Sequence, residues 1–573
     1  MGVGPAIFQT VGQRSEHYVP GAYSRSAAIG GAGSGVSANN SVVLGRARGG
    51  QSNRLFVFST LFEAKETLVD GELLRAVAHA FNPSPEYSPQ AVRAMVVNGN
   101  TQGESVMRKG EQEILNVKTA SYGVIANSIS RQLQEGSNPG TWKMTFTAGE
   151  SEEVIDNIGK RSIQIQYTGS SAEASLTINN TGLTVQKTDG SIVVNFEDFP
   201  TVEEVAARLI ATDEFAVVLL DTESNVPSTE LDHVSSIDIA SKEVVLTSDF
   251  YALVRAMERN PWIGSGNVTK ADNAGNFMPD NDDQPVFFRD ASAGTFTIDD
   301  WAKTLSALET ENIQMIATHV TDAAVHTLIS NHCTAMSNVQ NRKERTALLG
   351  GPIDQTIEEA CEIAGNLNNK LVSYCYPAIR AASPLTGEAE NLPASYFACK
   401  LLGMESTVAV NEPLTWKNVS VLQFLNKLKI SEMEKLIQGG VLCGGATDDN
   451  RLAVIRAMTT HQGAQLQLVE RSMVREDLYM NRDLRVRYSV GVGRPGIGKS
   501  GDVESTLYNA ARSWRGEGLI VPNDSGQNVW GVVVRVSGDK TYISFSRNLT
   551  APQNFFFITA FNYVYESATT VEV

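Results

Sequence analysis

Apolar positions change their spacing several times along this chain, and each change marks an element. From Gly71 to Ala80 the period is helical, with Leu73, Leu74, Val77 and Phe81 on one side. Apolar runs at 42–45, 55–58 and 92–97 predict short strands around that helix. From Lys160 to Glu243 strand-like runs dominate, at Ile163 to Tyr167, Leu176 to Ile178, Leu183 to Gln186, Ile192 to Phe196 and Phe215 to Leu220. Within them Thr201 and Glu204 announce a helix over 202–210 by a capping box, and Asp189-Gly190 marks a hairpin turn. The Asn-, Asp- and Gly-rich stretch from Gly264 to Asp283 is expected to be a mobile surface segment.

From Thr297 to Ala382 the pattern alternates: helix 298–308, strand 314–319, helix 323–336, strand 346–349, helix 356–367 and strand 371–376. Such alternation predicts a parallel sheet with crossover helices. Beyond Asn411, Leu422, Phe424, Leu425 and Leu428 suggest a helical run, and Ser431 with Glu434 suggests a capping box for a second helix that stops at Gly439-Gly440. An apolar strand follows at 452–457, then a long charged helix at 470–487, a Gly-rich turn at 493–499 and a helix at 503–514. Asn554 to Tyr565 is apolar on both faces of its alternation, which predicts a buried central strand, and Thr569 to Val573 reads as a β-branched terminal strand.

At 573 residues the chain holds three or four domains of about 100–200 residues each. A hydrophobic content of 42% with 19% charged residues describes a globular protein. The net charge of −17 argues against wholesale binding to nucleic acid or anionic membranes. No apolar run reaches the roughly 18 residues needed to cross a bilayer. The first residues lack a signal-sequence pattern, and Ala6 stands where a myristoylation motif needs Ser or Thr. Cys333, Cys361, Cys375, Cys399 and Cys443 have no metal or disulfide spacing and are expected to be reduced thiols.

Two local chemistries call for weighing. Gly493 to Ser500 fits G-x-x-x-x-G-K-S, the phosphate-cradling loop of nucleotide enzymes. Against that reading, Gly501-Asp502 separates the loop from the next helix, and Asp502 as its cap would place a carboxylate at the phosphate position. His319, His326 and His332, with Cys333, form the one histidine cluster; the six-residue spacing of the last two histidines favours ordinary satisfied histidines over a metal site. No cofactor and no metal are expected.

Gln438-Gly439-Gly440-Val441, Arg456-Ala457-Met458-Thr459-Thr460, Val474-Arg475-Glu476-Asp477, Ile497-Gly498-Lys499 and Gly518-Leu519-Ile520, in that order, resemble the C-terminal domain of contractile phage tail sheath proteins. Tyr18-Val19-Pro20-Gly21-Ala22-Tyr23 and Ser121-Tyr122-Gly123 with Asn127 add to the resemblance. It implies a multidomain α/β and α+β chain. The expected parts are an N-terminal arm (1–26), an N-terminal α/β region (27–159), an inserted β-rich α+β peripheral domain (160–285), a subtilisin-like α/β domain (286–410), a C-terminal α+β sheath domain (411–553) and a C-terminal strand and arm (554–573). The subtilisin-like fold would carry no protease, since 297–382 holds no Gly-x-Ser-x-Gly setting.

The resemblance also implies a structural role and no enzymatic one. Subunits would stack as hexameric rings around an inner tail tube and contract to drive that tube through the host envelope. The implied partners are neighbouring subunits, the tube, baseplate and tail terminator proteins, without nucleic acid or membrane insertion. The implied location is the virion tail, with assembly in the host cytoplasm. The sheath of a bacterial contractile injection system would look the same. Tyr18, Pro20, Gly21 and Tyr23 in one arm, and Thr569, Val571 and Val573 in the other, would augment a neighbour's sheet. On the helix 470–487, Arg471, Arg475, Arg482 and Arg485 share one stripe opposite Met473, Met480 and Leu484. That stripe is either a solvated basic face or a contact for the tube or the next subunit.

Overall fold

The computed structural model describes residues 6–10, 13–17, 38–220, 226–272, 274–493, 500–557, 559–560 and 562. The chain divides into two compact units. The larger comprises Asn39–Val408, Pro413–Val474 and the segment from Gln553; the smaller comprises Ala409–Glu412, Arg475–Pro552 and the segment ending at Ala38.

An eight-stranded mixed sheet organises the larger unit. Its strands are β1 (Ser41–Gly45), β2 (Leu55–Phe58), β3 (Val92–Val96), β4 (Met315–Thr318), β5 (Thr346–Gly350), β6 (Val372–Tyr376), β7 (Val441–Ala446) and β8 (Leu452–Arg456). The spatial order is β8-β7-β6-β5-β4-β1-β3-β2. The six inner strands run parallel, and β2 and β8 close the edges antiparallel. Every residue of β1, β4, β5 and β6 is buried, which is why these segments read as unbroken apolar runs without alternation. The alternation from Thr297 onward thus folds into the parallel sheet it implies, with capping boxes Thr297/Asp300 and Thr356/Glu359 starting two of the helices.

Several elements escaped the sequence reading, among them helix Asp249–Arg259, the hairpin Trp530–Ser546 and one central helix. Helix Ala394–Glu405 lies against β4, β5 and β6 and against helix Glu72–Phe81, with all twelve of its residues buried. A helix buried all round has no exposed polar face to announce it. A Cβ at Gly403 would collide with the carbonyl of Ala80, so glycine permits this close crossing of the two helices.

Residues 102–158 are antiparallel β structure rather than α/β. They form the hairpin Gln102–Lys109/Gln112–Tyr122 and the meander Ile129–Glu135, Trp142–Ala148, Ser151–Ile158. Helix Asp249–Arg259 and strand Val268–Lys270 complete their core around Phe146, Phe250, Leu253 and Phe288. A separate core spans Ile163 to Leu246 and fills the space between a three-stranded and a four-stranded sheet and helix Val202–Ile210. The expected strands of this region and the Thr201/Glu204 capping box are all present.

The segment 264–283 is pinned. Val268–Lys270 pairs with Leu115 to Val117, and Asp282 accepts from Arg131 Nη1 at 2.6 Å and from the Leu133 amide at 2.8 Å. The helical run expected near Leu422 is absent, replaced by the two-residue strand Gln423–Phe424. The next helix begins at Ile430, not after Ser431: Glu432 reaches back to accept from the Lys429 amide at 2.7 Å. It ends at Gly439, as its glycines imply.

In the smaller unit, helix Ser500–Gly516 and the continuation of helix Arg471–Ser489 pack with hairpin Trp530–Ser537/Lys540–Ser546 around Met480, Leu507 and Trp514. Trp514 Nε1 donates to Asp483 Oδ2 at 2.7 Å, and Asp483 also accepts from Arg487 Nε at 2.8 Å. Among the described residues this hairpin pairs with no third strand, so both its edges keep unpaired backbone groups.

Candidate functional site

Charged residues buried around helix Arg471–Ser489 form the most distinctive chemistry of the chain. Arg471 is 1% exposed. Its Nε and Nη2 grip Glu405 Oε1 and Oε2, both at 2.8 Å. Nη1 donates to the Ala347 carbonyl and to Ser373 Oγ at 3.0 Å, and Nη2 also donates to Thr346 Oγ1 at 3.2 Å. All five guanidinium donors are therefore used, the condition under which a buried ion pair is tolerated. Glu405 is the last residue of helix Ala394–Glu405, where the helix dipole disfavours a carboxylate; the facing guanidinium offsets this. The cluster ties that helix to the first residues of β5 and to β6.

This geometry corrects the expected arginine stripe. Arg471 faces inward, and Arg475 is buried at 5% exposure, while Arg482 and Arg485 are half-buried. Met473 and Met480 are buried and Leu484 packs on the core, as expected, but Val474, Leu478 and Glu476 are buried too. The helix is covered on most sides, so helical spacing alone could not say which arginines face water. Arg475→Glu should accordingly destabilise the chain by about 3–5 kcal/mol, through an unmatched buried charge. Urea unfolding checks this, with a surface-like effect below ~0.5 kcal/mol counting against burial.

Glu476 is fully buried, and burial pushes its pKa up to about 8, with a backbone contact from Thr550 and the charge of Arg547 lowering it only in part. The folded chain thus holds this proton more tightly than the unfolded one. The stabilisation is complete below the ordinary value of 4.5 and is lost as pH rises to about 8. Glu476→Gln should therefore raise the Tm relative to wild type more at pH 8 than at pH 5, which a pH series of thermal melts reads directly.

A second buried carboxylate, Glu470, meets the chain's C-terminal segment. Asn554 Nδ2 donates to Glu470 Oε2 at 3.3 Å, and Arg456 lies over the Phe555 ring at 5.5 Å. The expected central strand over 554–565 is not formed in its described residues. Residues 551–557 have no regular structure, and Phe555, Phe556 and Phe557 are 63%, 78% and 94% exposed. A run apolar on both faces needs covering, and the described residues do not cover Phe555 to Phe557.

The remaining candidates are ordinary structural groups. His326 Nε2 bonds the Val320 carbonyl at 2.8 Å. Arg345 Nη1 contacts His332 Nε2 at 2.5 Å. Burial lowers His319 and His332 to about 4, with Arg345 adding to the effect at His332. Among the described residues no group of three or more His, Cys, Asp or Glu is placed to hold a metal. The five cysteines are free thiols, four buried and Cys361 half-buried.

The nucleotide-loop pattern at Gly493 follows helix Arg471–Ser489, not the strand that a phosphate loop requires. Helix Ser500–Gly516 starts at Ser500, so Asp502 lies in its first turn and does not cap it. The loop residues 494–499 and the arm residues Tyr18, Pro20, Gly21, Tyr23, Thr569, Val571 and Val573 lie outside the described residues. No helix of the described residues is long and apolar enough to cross a membrane.

Arg471 with Glu405, and Arg456 with Glu470, are buried contacts within the larger unit. Residues 294–460 match the family model of the phage tail sheath protein central domain, which covers β4 to β8 and Glu405. The chain is 23% identical over 548 residues to the tail sheath protein of Bacillus phage SP01, covering 91% of each. It is 25% identical to the putative tail sheath protein of Enterococcus phage phiEF24C, covering 72% of this chain and 73% of that one. The sheath tail protein from Desulfitobacterium hafniense shares its fold with a TM-score of 0.51 at 12% identity, over 92% of this chain and 100% of that one. The chain is thus similar to phage tail sheath proteins, through its central region and along most of its length.

The sequence resemblance was drawn mainly from residues 438–520, whereas the family match ends at 460. The buried partners Glu405, Glu470, Arg456 and Asn554 were not legible as a group. One signal was available: Glu405 closes an apolar run, where a carboxylate has to find a cation.

Proposed function

We propose that this chain is the repeating structural subunit of a contractile tail sheath. Subunits stack as six-membered rings around the inner tail tube and contract to drive it through the host envelope for genome delivery. Full-length similarity to the tail sheath protein of phage SP01 carries this reading. Helical stacking requires a heterologous interface, and contraction a rigid-body change between two packings of the same subunits.

The hairpin Trp530–Ser546, with its two free edges, supports arm exchange: the arms around Pro20 and Val571 of neighbouring copies would add strands to it. We place the subtilisin-like domain on the eight-stranded sheet and residues 160–285 at the periphery of the particle. Of the basic residues, Arg482 and Arg485 keep part of their side chains at the surface and are the ones we set against the tube or the next subunit. Baseplate and terminator proteins would meet the two ends of the array, which assembles in the host cytoplasm.

Negative-stain microscopy of the concentrated purified chain tests the function. Tubes with a regular helical repeat are expected, and a protein that stays monomeric at every concentration and salt overturns the reading.

A further inference from the structure

The C-terminal segment crosses a carboxylate that is poorly provided for. Glu470 is fully buried, and its Oε2 has one hydrogen bond, at 3.3 Å from Asn554 Nδ2. Arg456 Nε stands 4.0 Å from the same oxygen, beyond hydrogen-bond reach, and neither Glu470 Oε1 nor Arg456 Nε has a partner. The Arg456 guanidinium instead lies over Phe555, which stacks on Phe557 with ring centres 6.3 Å apart. All these groups belong to the larger unit.

We propose that Glu470, Arg456, Asn554 and Phe555 form a clasp that holds residues 553–557 against the subunit and opens when the Glu470 carboxylate ionises. A neutral carboxyl is buried at modest cost with few partners, whereas a buried carboxylate needs several donors or water. The clasp supplies one long bond and a displaced guanidinium. Lifting the segment lets water reach the carboxylate.

The charged and polar groups that face Glu470 are Arg456 from β8 and Asn554 from the segment itself; Arg471, its neighbour in sequence, is turned into Glu405. Burial raises Glu470 to about 7, and Arg456 and Asn554 lower it only in part. The closed state binds the proton more tightly than the open, solvated one, so raising pH through about 7 favours release.

Chymotryptic cleavage after Phe555, the ring held under Arg456, reads the open population in the full chain. Dividing the wild-type rate by that of Glu470→Gln cancels the protease's own pH dependence. This ratio should rise about fivefold or more between pH 6 and pH 8. The double variant Arg456→Ala/Asn554→Ala, which leaves Glu470 in place, should be cleaved faster than wild type at both pH values. An unchanged wild-type to Glu470→Gln ratio, or wild-type cleavage of the double variant, overturns the clasp. Both readouts are taken on the unassembled subunit, so they stand or fall independently of sheath formation.

Discussion

Arg471→Ala should cost the larger unit about 3–5 kcal/mol, a large share of a typical domain's stability. The substitution leaves Glu405 as a buried carboxylate at a helix C-terminus, strands Ser373 Oγ, and takes a donor from the Ala347 carbonyl and from Thr346 Oγ1. Arg471→Lys keeps the charge but loses the fork that spans two carboxylate oxygens and three further acceptors, so it should recover only part of the loss. Pairing Arg471→Met with Glu405→Met removes both charges together and should be milder than Arg471→Ala alone. Urea unfolding followed by circular dichroism gives the order: wild type, then the double variant, then Arg471→Ala. Equal losses in the single and double variants would mean that the unmatched carboxylate is not the cause. The unfolding is to be read by its first transition, since a two-unit chain need not melt in one step.

Removing residues 1–22, or Thr569 to Val573, should give a folded, soluble subunit that forms no tubes. Among the residues whose burial is described, the fully buried apolar side chains run from Val42 to Val529, outside both deleted segments. On the proposed arm exchange, what would be lost is strand addition to a neighbour, about five backbone hydrogen bonds worth ~0.5–1.5 kcal/mol each. A helical array repeats each such link at every subunit, so a modest loss per contact removes the whole polymer. Circular dichroism and a thermal melt establish that the truncated chain is folded, and electron microscopy scores the tubes. Normal tubes from either truncated chain would remove that arm from the assembly.

How far the sequence could be read depended on whether burial was one-sided. The inserted β region was legible because its strands alternate and its helix carries a capping box at Thr201 and Glu204. The parallel strands β4 to β6 were legible as short apolar runs separated by well-capped helices. Helix Ala394–Glu405 was not, since burial on every side erases the period that marks a helix. The arginines failed for the related reason that a helix wheel sorts residues by direction and cannot say which directions are covered. Asn554 to Tyr565 misled differently: its apolar alternation reported a need for cover that the described residues do not give Phe555 to Phe557. Glu405 and Glu470 were invisible as sites because their partners stand far away in sequence, at Arg471 and Asn554.

The placement of β1 has a consequence for synthesis on the ribosome. β1 sits inside the sheet between β3 and β4, with Ser41 pairing to Met315. β3 and β2 follow β1 soon after it emerges, but β4 is made ~270 residues later, on the order of 15–50 s at about 5–20 residues per second. Throughout that interval the nascent chain can complete one flank of β1 while its other edge, Ser41-Val42-Val43-Leu44, stays open to strands of neighbouring chains. Slowing translation between Val96 and Met315 should therefore increase aggregation during production without altering the finished subunit.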